Sequence, residues 1–321
     1  MIGVAPAGLV RPSGARAGLA GWPRVGIVVL NWNRPDHTIA CLTSLRELDY
    51  PSYEVVVVDN GSADGSPTAI RRLFPGVSVV ENGRNLGFAA GSNVGIVLLA
   101  RRGVDYVLLL NDDAEVATDL LGALVEVAEA DPSTGILGPT IYYYGPATVI
   151  WSAGGSVDGR GRARHLRADE PGDAGPGPVQ DVDYVTGCAL LVRREVVERV
   201  GALDERFFAY YEEAEWCARA RRAGYRVVYV PRARVWHKID PAARSQSRSY
   251  LYLTARNRLL YLRCAGAGRG TIALASLDLL RTACSWSLRP KHRAMRPLAS
   301  ALVRGVADFA VGRFGPPPGR P

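Results

Sequence analysis

The sequence predicts an α/β protein: a Rossmann-like half at the N-terminal end, a second region of short strands, and a basic helical C-terminal extension. Three observations carry this. Near-continuous apolar runs at Val25 to Leu30, Val55 to Val58, Val77 to Val80 and Val104 to Leu110 suit strands covered on both faces of a parallel sheet. Between the runs the apolar spacing turns helical: Ile39, Leu42 and Leu45 after Pro35, Ile70 and Leu73 after the turn GSADGSP, Val94, Val97 and Leu98 before Arg101, and Leu120 to Val127. After Pro241 the pattern is helical, over Tyr250 to Cys264, Thr271 to Leu288 and Leu298 to Phe309, the last with Leu298, Leu302, Val306 and Phe309 on one stripe. A βαβαβαβα order places a ligand beyond the carboxyl ends of the strands.

Within this frame the order of elements sets the domains. Residues 1–22, rich in Gly, Ala and Pro without a continuous apolar stretch, read as a disordered leader and not a signal peptide. Residues 131–240 hold short strand-like pieces, a Gly/Arg/Pro-rich insert from Asp158 to Asp181 that reads as a mobile loop, and a helix over Tyr211 to Ala223. The 321 residues, 48% hydrophobic, suffice for a sizeable core. Five scattered cysteines without a CxxC pair point to reduced thiols in a cytosol. The stretch nearest to a membrane span, 271–288, is interrupted by Asp278 and Arg281. The net charge of +8 is divided unevenly: from Arg232 onward 17 Lys+Arg face three Asp, +14, leaving 22 against 28, −6, for the rest. Such a tail suits an anionic partner, membrane lipid or nucleic acid, or is a solvated face.

The polar residues gather where the strands end. The first run leads into NWNRPDH and the second into DNGSADGS. Asp59, closing the second strand with Asn60 and Gly61 beside it, is placed to accept hydrogen bonds from a base or ribose; ordinary turn chemistry is the alternative. In NGRNLGFAAGSNVG, Gly87, Gly91 and Gly95 recur every four residues. They make a helix face that backbone or ligand can approach closely, with Asn85 and Asn93 able to bond a nucleotide or sugar. Neither a P-loop nor GxGxxG is present, which disfavours dinucleotides.

LLLNDDAEV, residues 108–116, sets two adjacent carboxylates at the end of a buried strand. Like charges repel unless something offsets them, and hard oxygen ligands suit Mg²⁺ or Mn²⁺; the alternative is that Asp112 or Asp113 caps the following helix. In DERFFAYYEEAEWCARARRAGYRVVYVPRARVWHK, Glu212, Glu213 and Glu215 crowd a helix start inside an aromatic shell of Phe207, Phe208, Tyr210, Tyr211 and Trp216. That shell can desolvate a carboxylate and make it a better general base. Glu215 with Arg219 is an i,i+4 pair. His237 is either a metal ligand or structural.

Taken in order, VVLNWNR, VVVDNGSADGS, NLGFAAGSNVG, LLLNDDAEV, TGCALLVRR, DERFFAYYEEAEWCARARRAGY and VWHK resemble the family 2 inverting glycosyltransferases of GT-A fold, in particular the rhamnosyltransferase-like bacterial enzymes that build cell-wall or surface polysaccharide. The resemblance covers residues 24–240. It implies a mixed central sheet and a catalytic domain over 23–240, with a nucleotide-binding half, 23–130, an acceptor-binding half, 131–240, and the basic extension, 241–321. By the same resemblance Asn31 and Asn33 line the nucleotide entrance, and Asp59, with Asn60 and Gly61, meets base or ribose. Asn85, Gly87, Gly91 and Asn93 flank diphosphate and sugar. Asn111, Asp112 and Asp113 stand where the family has its DxD-type motif, Asn111 replacing the first acid. Asp113 is then the main ligand of Mg²⁺ or Mn²⁺, and His237 completes the metal site. The family's catalytic base is usually the Asp of a Glu-Asp pair, and here that role falls on Glu213.

The implied partners are a nucleoside-diphosphate sugar, dTDP-rhamnose by preference, and a glycan or lipid-linked acceptor, with no nucleic acid expected. The implied location is cytoplasmic. Peripheral contact with an anionic inner membrane face through the helices after residue 241 is open, as is packing of those helices on the catalytic domain. Rivals are an inactive sugar-nucleotide-binding relative, a sugar-nucleotide pyrophosphorylase, and a nucleic-acid-binding protein acting through its tail.

Overall fold

The computed structural model describes residues 21–145, 148–172, 177–239 and 247–318. All but the last two residues of the expected leader lie outside them. The N-terminal half runs β1 (Val25–Asn31), α1 (Pro35–Arg46), β2 (Tyr53–Asp59), α2 (Ser66–Leu73), β3 (Ser78–Glu81), α3 (Gly87–Arg101) and β4 (Tyr106–Asn111). Strands β3, β2, β1 and β4 lie side by side in that order, all parallel. The chain leaves β1 outward to β3 and then returns past it to β4, so the crevice between the carboxyl ends of β1 and β4 is the topological switch point. Register aligns Asn31 with Asp59 and Leu30 with Asn111, so the polar strand ends share one rim.

Beyond β4 the sheet becomes mixed. The chain continues through β5 (Ala114–Val116), α4 (Leu120–Ala130), β6 (Thr134–Tyr143), β7 (Ile150–Ser152), β8 (Gly155–Val157), β9 (Ala163–His165), β10 (Gln180–Asp181), β11 (Ala189–Arg193), α5 (Arg194–Val200), α6 (Glu212–Arg222) and β12 (Arg226–His237). β11 sits antiparallel between β4 and β6, and β12 runs parallel to β6. Strand residues alternate between two cores: Ile27 and Val29 pack with Leu42, Leu45 and Leu124 of α1 and α4, whereas Val28 packs with Ile96 and Trp216 of α3 and α6. The glycine face of α3 serves this packing. A Cβ on Gly91 would lie 2.8 Å from Leu30 Cδ1, and one on Gly95 2.6 Å from Val28 Cγ1, so both keep α3 close to β1.

Two expectations need correction. After Asp113 the chain enters strand β5, and α4 begins only at Leu120 with Asp119 at its N-cap, so neither Asp112 nor Asp113 caps it. The insert from Asp158 to Asp181, expected as a mobile loop, instead contributes β9, which pairs with β8 just ahead of it, and β10. Arg160 and Arg162 pin it to Asp278 at 3.2 and 2.8 Å; residues 173–176 of the insert are not described.

The tail forms α7 (Arg248–Cys264), α8 (Arg269–Leu288) and α9 (Arg296–Ala310). The apolar stripe of α9 faces inward: Leu298 and Leu302 are buried, and Val306 and Phe309 pack on Leu259, Leu262 and Ala275. No helix among the described residues is long and apolar enough to cross a membrane.

Candidate functional site

Three strand ends build one rim. At β2, Asp59 is almost wholly buried: Oδ1 accepts from Asn31 Nδ2 at 2.7 Å, and Oδ2 accepts from the N–H groups of Gly61 and Ser62 at 3.1 and 2.9 Å. Asn31 also accepts from Thr38 Oγ1 at 2.8 Å. Asn33, exposed and at φ 53, accepts from the Ala63 N–H at 2.8 Å, an αL conformation that Asn tolerates. Asp59 and Asn31 thus tie the turn after β2 to the turn after β1.

Asn60 ties the next loop. Its amide donates to Asn85 Oδ1 and the Gly87 carbonyl and accepts from Asn82 Nδ2 and the Leu86 N–H, at 3.0 to 3.1 Å. The four N–H groups at the start of α3, which in other helices can cradle a phosphate, are all taken within the chain. Leu86 donates to Asn60, Gly87 to Asn85 Oδ1, and Phe88 and Ala89 to the Phe208 carbonyl. Asn93 likewise bonds both the carbonyl and the N–H of Leu203, at 2.9 and 3.0 Å.

The acid cluster is completed from a distant part of the sequence. β12 pairs with β5 so that His237 lies opposite Ala114, and the Lys238 N–H donates to the Asp113 carbonyl at 2.8 Å. His237, 1% exposed, brings Nε2 to 2.9 Å from Asp113 Oδ1 and 3.4 Å from Asn111 Nδ2, with Trp151 edge-on to its ring at 4.6 Å. Arg34, which sequence reading overlooked, reaches Asp113 Oδ2 at 2.9 Å and Asp112 at 4.0 Å. Burial and the neighbouring Asp113 push Asp112 up to about 7. Burial also opposes ionisation of Asp113, but His237 and Arg34 outweigh it and hold this carboxyl at about 2. The repulsion between the two acids is therefore met by the Arg34 guanidinium and shows as the upward shift of Asp112.

The residues fit a divalent cation. Asp113 Oδ1 is buried without a well-directed hydrogen bond although His237 Nε2 is close, so a carboxylate oxygen and an imidazole nitrogen that can give up its proton converge as two ligands of one cation would. No group of three or more His, Cys, Asp or Glu is placed to hold a metal ion among the described residues. A two-ligand set suits an ion whose remaining positions are filled by substrate phosphates and water.

Glu213 enters from the other side. Asn111 donates its N–H to the Cys188 carbonyl at 2.9 Å, and the adjacent Gly187 lies between Phe88 and Glu213, a Cβ there falling 3.0 Å from Phe88 Cζ and 4.0 Å from Glu213 Cβ. Of the neighbouring acids, Glu212 is buried, and Glu215 is buried against Arg219 at 2.9 Å. The loop leading into α6 is strained: Phe208, Tyr210 and Tyr211 have φ of 65, 71 and 75. Ala209 N–H donates to the Phe207 carbonyl at 2.8 Å, which closes the rare positive-φ form of the γ-turn at Phe208. Each such residue costs on the order of 1–3 kcal/mol and persists only when its surroundings over-determine it.

Here α7 supplies the restraint. Asn257, wholly buried, donates to the carbonyls of Phe207, Ala209 and Tyr210 at 2.8 to 2.9 Å, and the neighbouring Arg256 donates to Phe207 at 3.0 Å. Asn257→Ala should lower kcat well below that of the parent while the donor KM stays within a few-fold, and Asn257→Gln should recover part of it. Removing the amide strands buried carbonyls at about 1–3 kcal/mol each, so the melting temperature, measured alongside, separates the activity loss from unfolding.

The chain resembles known proteins along most of its length. It is 27% identical over 302 residues, 83% of this chain and 95% of the relative, to the N-acetylglucosaminyl-diphospho-decaprenol L-rhamnosyltransferase of Mycobacterium tuberculosis. It is 25% identical over 205 residues, 62% of this chain and 64% of the relative, to the dTDP-rhamnosyl transferase RfbF of Shigella flexneri. Among solved structures, the mannosyltransferase PcManGT from Pyrobaculum calidifontis, in complex with GDP-Man and Mn²⁺, superposes with a TM-score of 0.57 at 17% identity, covering 92% of this chain and 89% of that one. GalNAc-T7 with UDP, GalNAc and Mn²⁺ superposes at 0.61 and 16% identity, covering 92% and 59%. These likenesses give the GT-A fold. The sequence profile of glycosyl transferase family 2 matches residues 26–201, more than half the chain and the span from β1 to the end of α5, and the protein is a glycosyltransferase belonging to that family.

Proposed function

We propose that the protein moves a sugar, rhamnose from a dTDP-linked donor by preference, onto a hydroxyl of a lipid-linked or surface-glycan acceptor, with inversion at the anomeric carbon. The observation that carries this reading is the buried Asp113–His237 pair at the switch-point rim, with a half-buried carboxylate, Glu213, across the Gly187 loop. The rhamnosyltransferase relatives support the choice of donor, and the lipid-linked substrate in the name of the mycobacterial relative supports the choice of acceptor.

In this reading Asp113 and His237 hold Mg²⁺ or Mn²⁺, which when bound offsets the charge of the departing nucleoside diphosphate. Asn33, Asn111 and Asp112 face the donor, while Asn31, Asp59, Asn60, Gly61, Asn85, Gly87, Gly91 and Asn93 set the shape of the loops around it. Glu213 takes the proton of the acceptor hydroxyl as its oxygen bonds the anomeric carbon and the bond to the diphosphate breaks. The place of work is the cytoplasmic face of a membrane, where a lipid-linked acceptor is presented.

The test is release of nucleoside diphosphate from a panel of dTDP-, UDP- and GDP-sugars with Mg²⁺ or Mn²⁺. Release from one donor, lost on chelation and restored by the metal, is the expected result. No release from any donor, together with no calorimetric binding of the free nucleotides, would overturn the reading.

A further inference from the structure

Helix α8 is twenty residues long yet fully buries only Ala275 and Ala283. One side of it is well anchored: Ile272, Leu279 and Trp286 pack on α7 and α9, and Asp278 meets Arg160, Arg162 and Arg258 at 3.2, 2.8 and 3.5 Å. The opposite side carries Leu274, Leu277, Leu280 and Leu288, 53, 46, 38 and 72% exposed. At helical spacing these four fall on one stripe, with Arg281 and Cys284 between them. A helix that turns a stripe of four leucines to water forgoes the burial that stabilises such faces.

The charges beside the stripe say what covers it. Arg281 is exposed on the stripe, and Arg289, Lys291, Arg293 and Arg296 stand exposed in and around the 3-10 turn at its C-terminal end, Pro290–Met295. The described ion pairs of the tail use Arg258, Arg304 and Arg313 instead. We infer that this face of α8 docks on an anionic lipid surface, the leucines entering the acyl boundary and the five cations meeting lipid phosphates. A second copy of the chain is a poorer occupant, because a two-fold contact through this face would bury the leucines but offer no anions to the exposed cations beside them. Nucleic acid would use the cations but leave the leucines in water. The surface is distinct from the α9 stripe, which is buried. The inference does not depend on the choice of donor or base, so its failure would leave the transferase reading intact.

The experiment is flotation of the full chain with vesicles of pure phosphatidylglycerol and, separately, pure phosphatidylcholine. The wild type should float with the first and far less with the second, and added salt should release it. Leu277→Gln with Leu288→Gln should weaken binding about tenfold or more, in line with the free energy of burying two leucine side chains. Neutralising Arg289, Lys291 and Arg293 to Gln should cost about fivefold per charge. Circular dichroism and donor turnover in solution, unchanged in both variants, show that the fold is kept. Equal flotation with both lipids, or flotation indifferent to both variants, would overturn the inference. So would a wild-type dimer in size-exclusion chromatography that Leu277→Gln with Leu288→Gln renders monomeric, or salt-sensitive binding to duplex DNA without binding to vesicles.

Discussion

Glu213→Gln is expected to lower turnover by about 10²- to 10⁴-fold, the usual loss when a positioned general base is removed, with donor binding nearly unchanged. The substitution keeps the length and most of the shape of the side chain and removes its capacity to take up a proton. Glu213 lies in the first turn of α6. An effect confined to kcat, with calorimetric affinity for the donor nucleotide intact, is the signature of a group that acts in the transition state. The neighbouring acids serve as controls: Glu215→Gln should instead loosen Arg219, which also donates to the Ala202 carbonyl at 2.7 Å, and show in the melting temperature. Near-normal turnover of Glu213→Gln would remove the base from this position.

The second large effect concerns Asp113. Asp113→Ala should abolish the response of turnover to Mg²⁺ or Mn²⁺ and lower activity at saturating metal by at least about 100-fold, since even outer partners of metal ligands are worth 10- to 100-fold. It also strips His237 and Arg34 of their shared partner, both within 2.9 Å, so some loss of stability accompanies it. Asp113→Asn keeps the volume and separates the two effects: it should retain the fold while losing Mn²⁺ affinity, titrated calorimetrically in the presence of nucleoside diphosphate. Retained metal-dependent activity in Asp113→Asn would place the ion elsewhere.

The parts of the structure legible in the sequence are those whose signal is local. β1, β2 and β4 are long apolar runs, and α1, α3 and the three tail helices carry their own periodicity. β5, β7 and β9 have three residues each, too few for any period to register. β12 continues past Pro231 through an irregularity between Val230 and Arg234, so its apolar run reads as ending too early. The convergence of Asp113 and His237 follows from the β5–β12 register across more than a hundred residues, which no local pattern encodes. Arg34 was readable in principle as a cation in NWNR beside an acid cluster. Asn257 was not, because an amide in an otherwise ordinary helix gives no sign of the strained loop it holds. The glycines of α3 were legible as a bare face, but only the structure shows that β1, through Leu30 and Val28, covers it.

The bonds from α7 to the Phe207–Tyr210 loop span 47 to 50 positions of sequence, and this sets an order of assembly. During synthesis the sheet, the acid cluster and the strand carrying His237 can all form before α7 emerges. The loop before Glu213 then lacks the amide that holds its unfavourable backbone angles, and its residues relax toward commoner ones. A chain ending before residue 248 would thus carry Glu213 behind a loop without the bonds that α7 supplies. In the proposed reading such an order delays transfer until α7 has formed, and the control resides in an amide remote in sequence from the groups assigned to the donor.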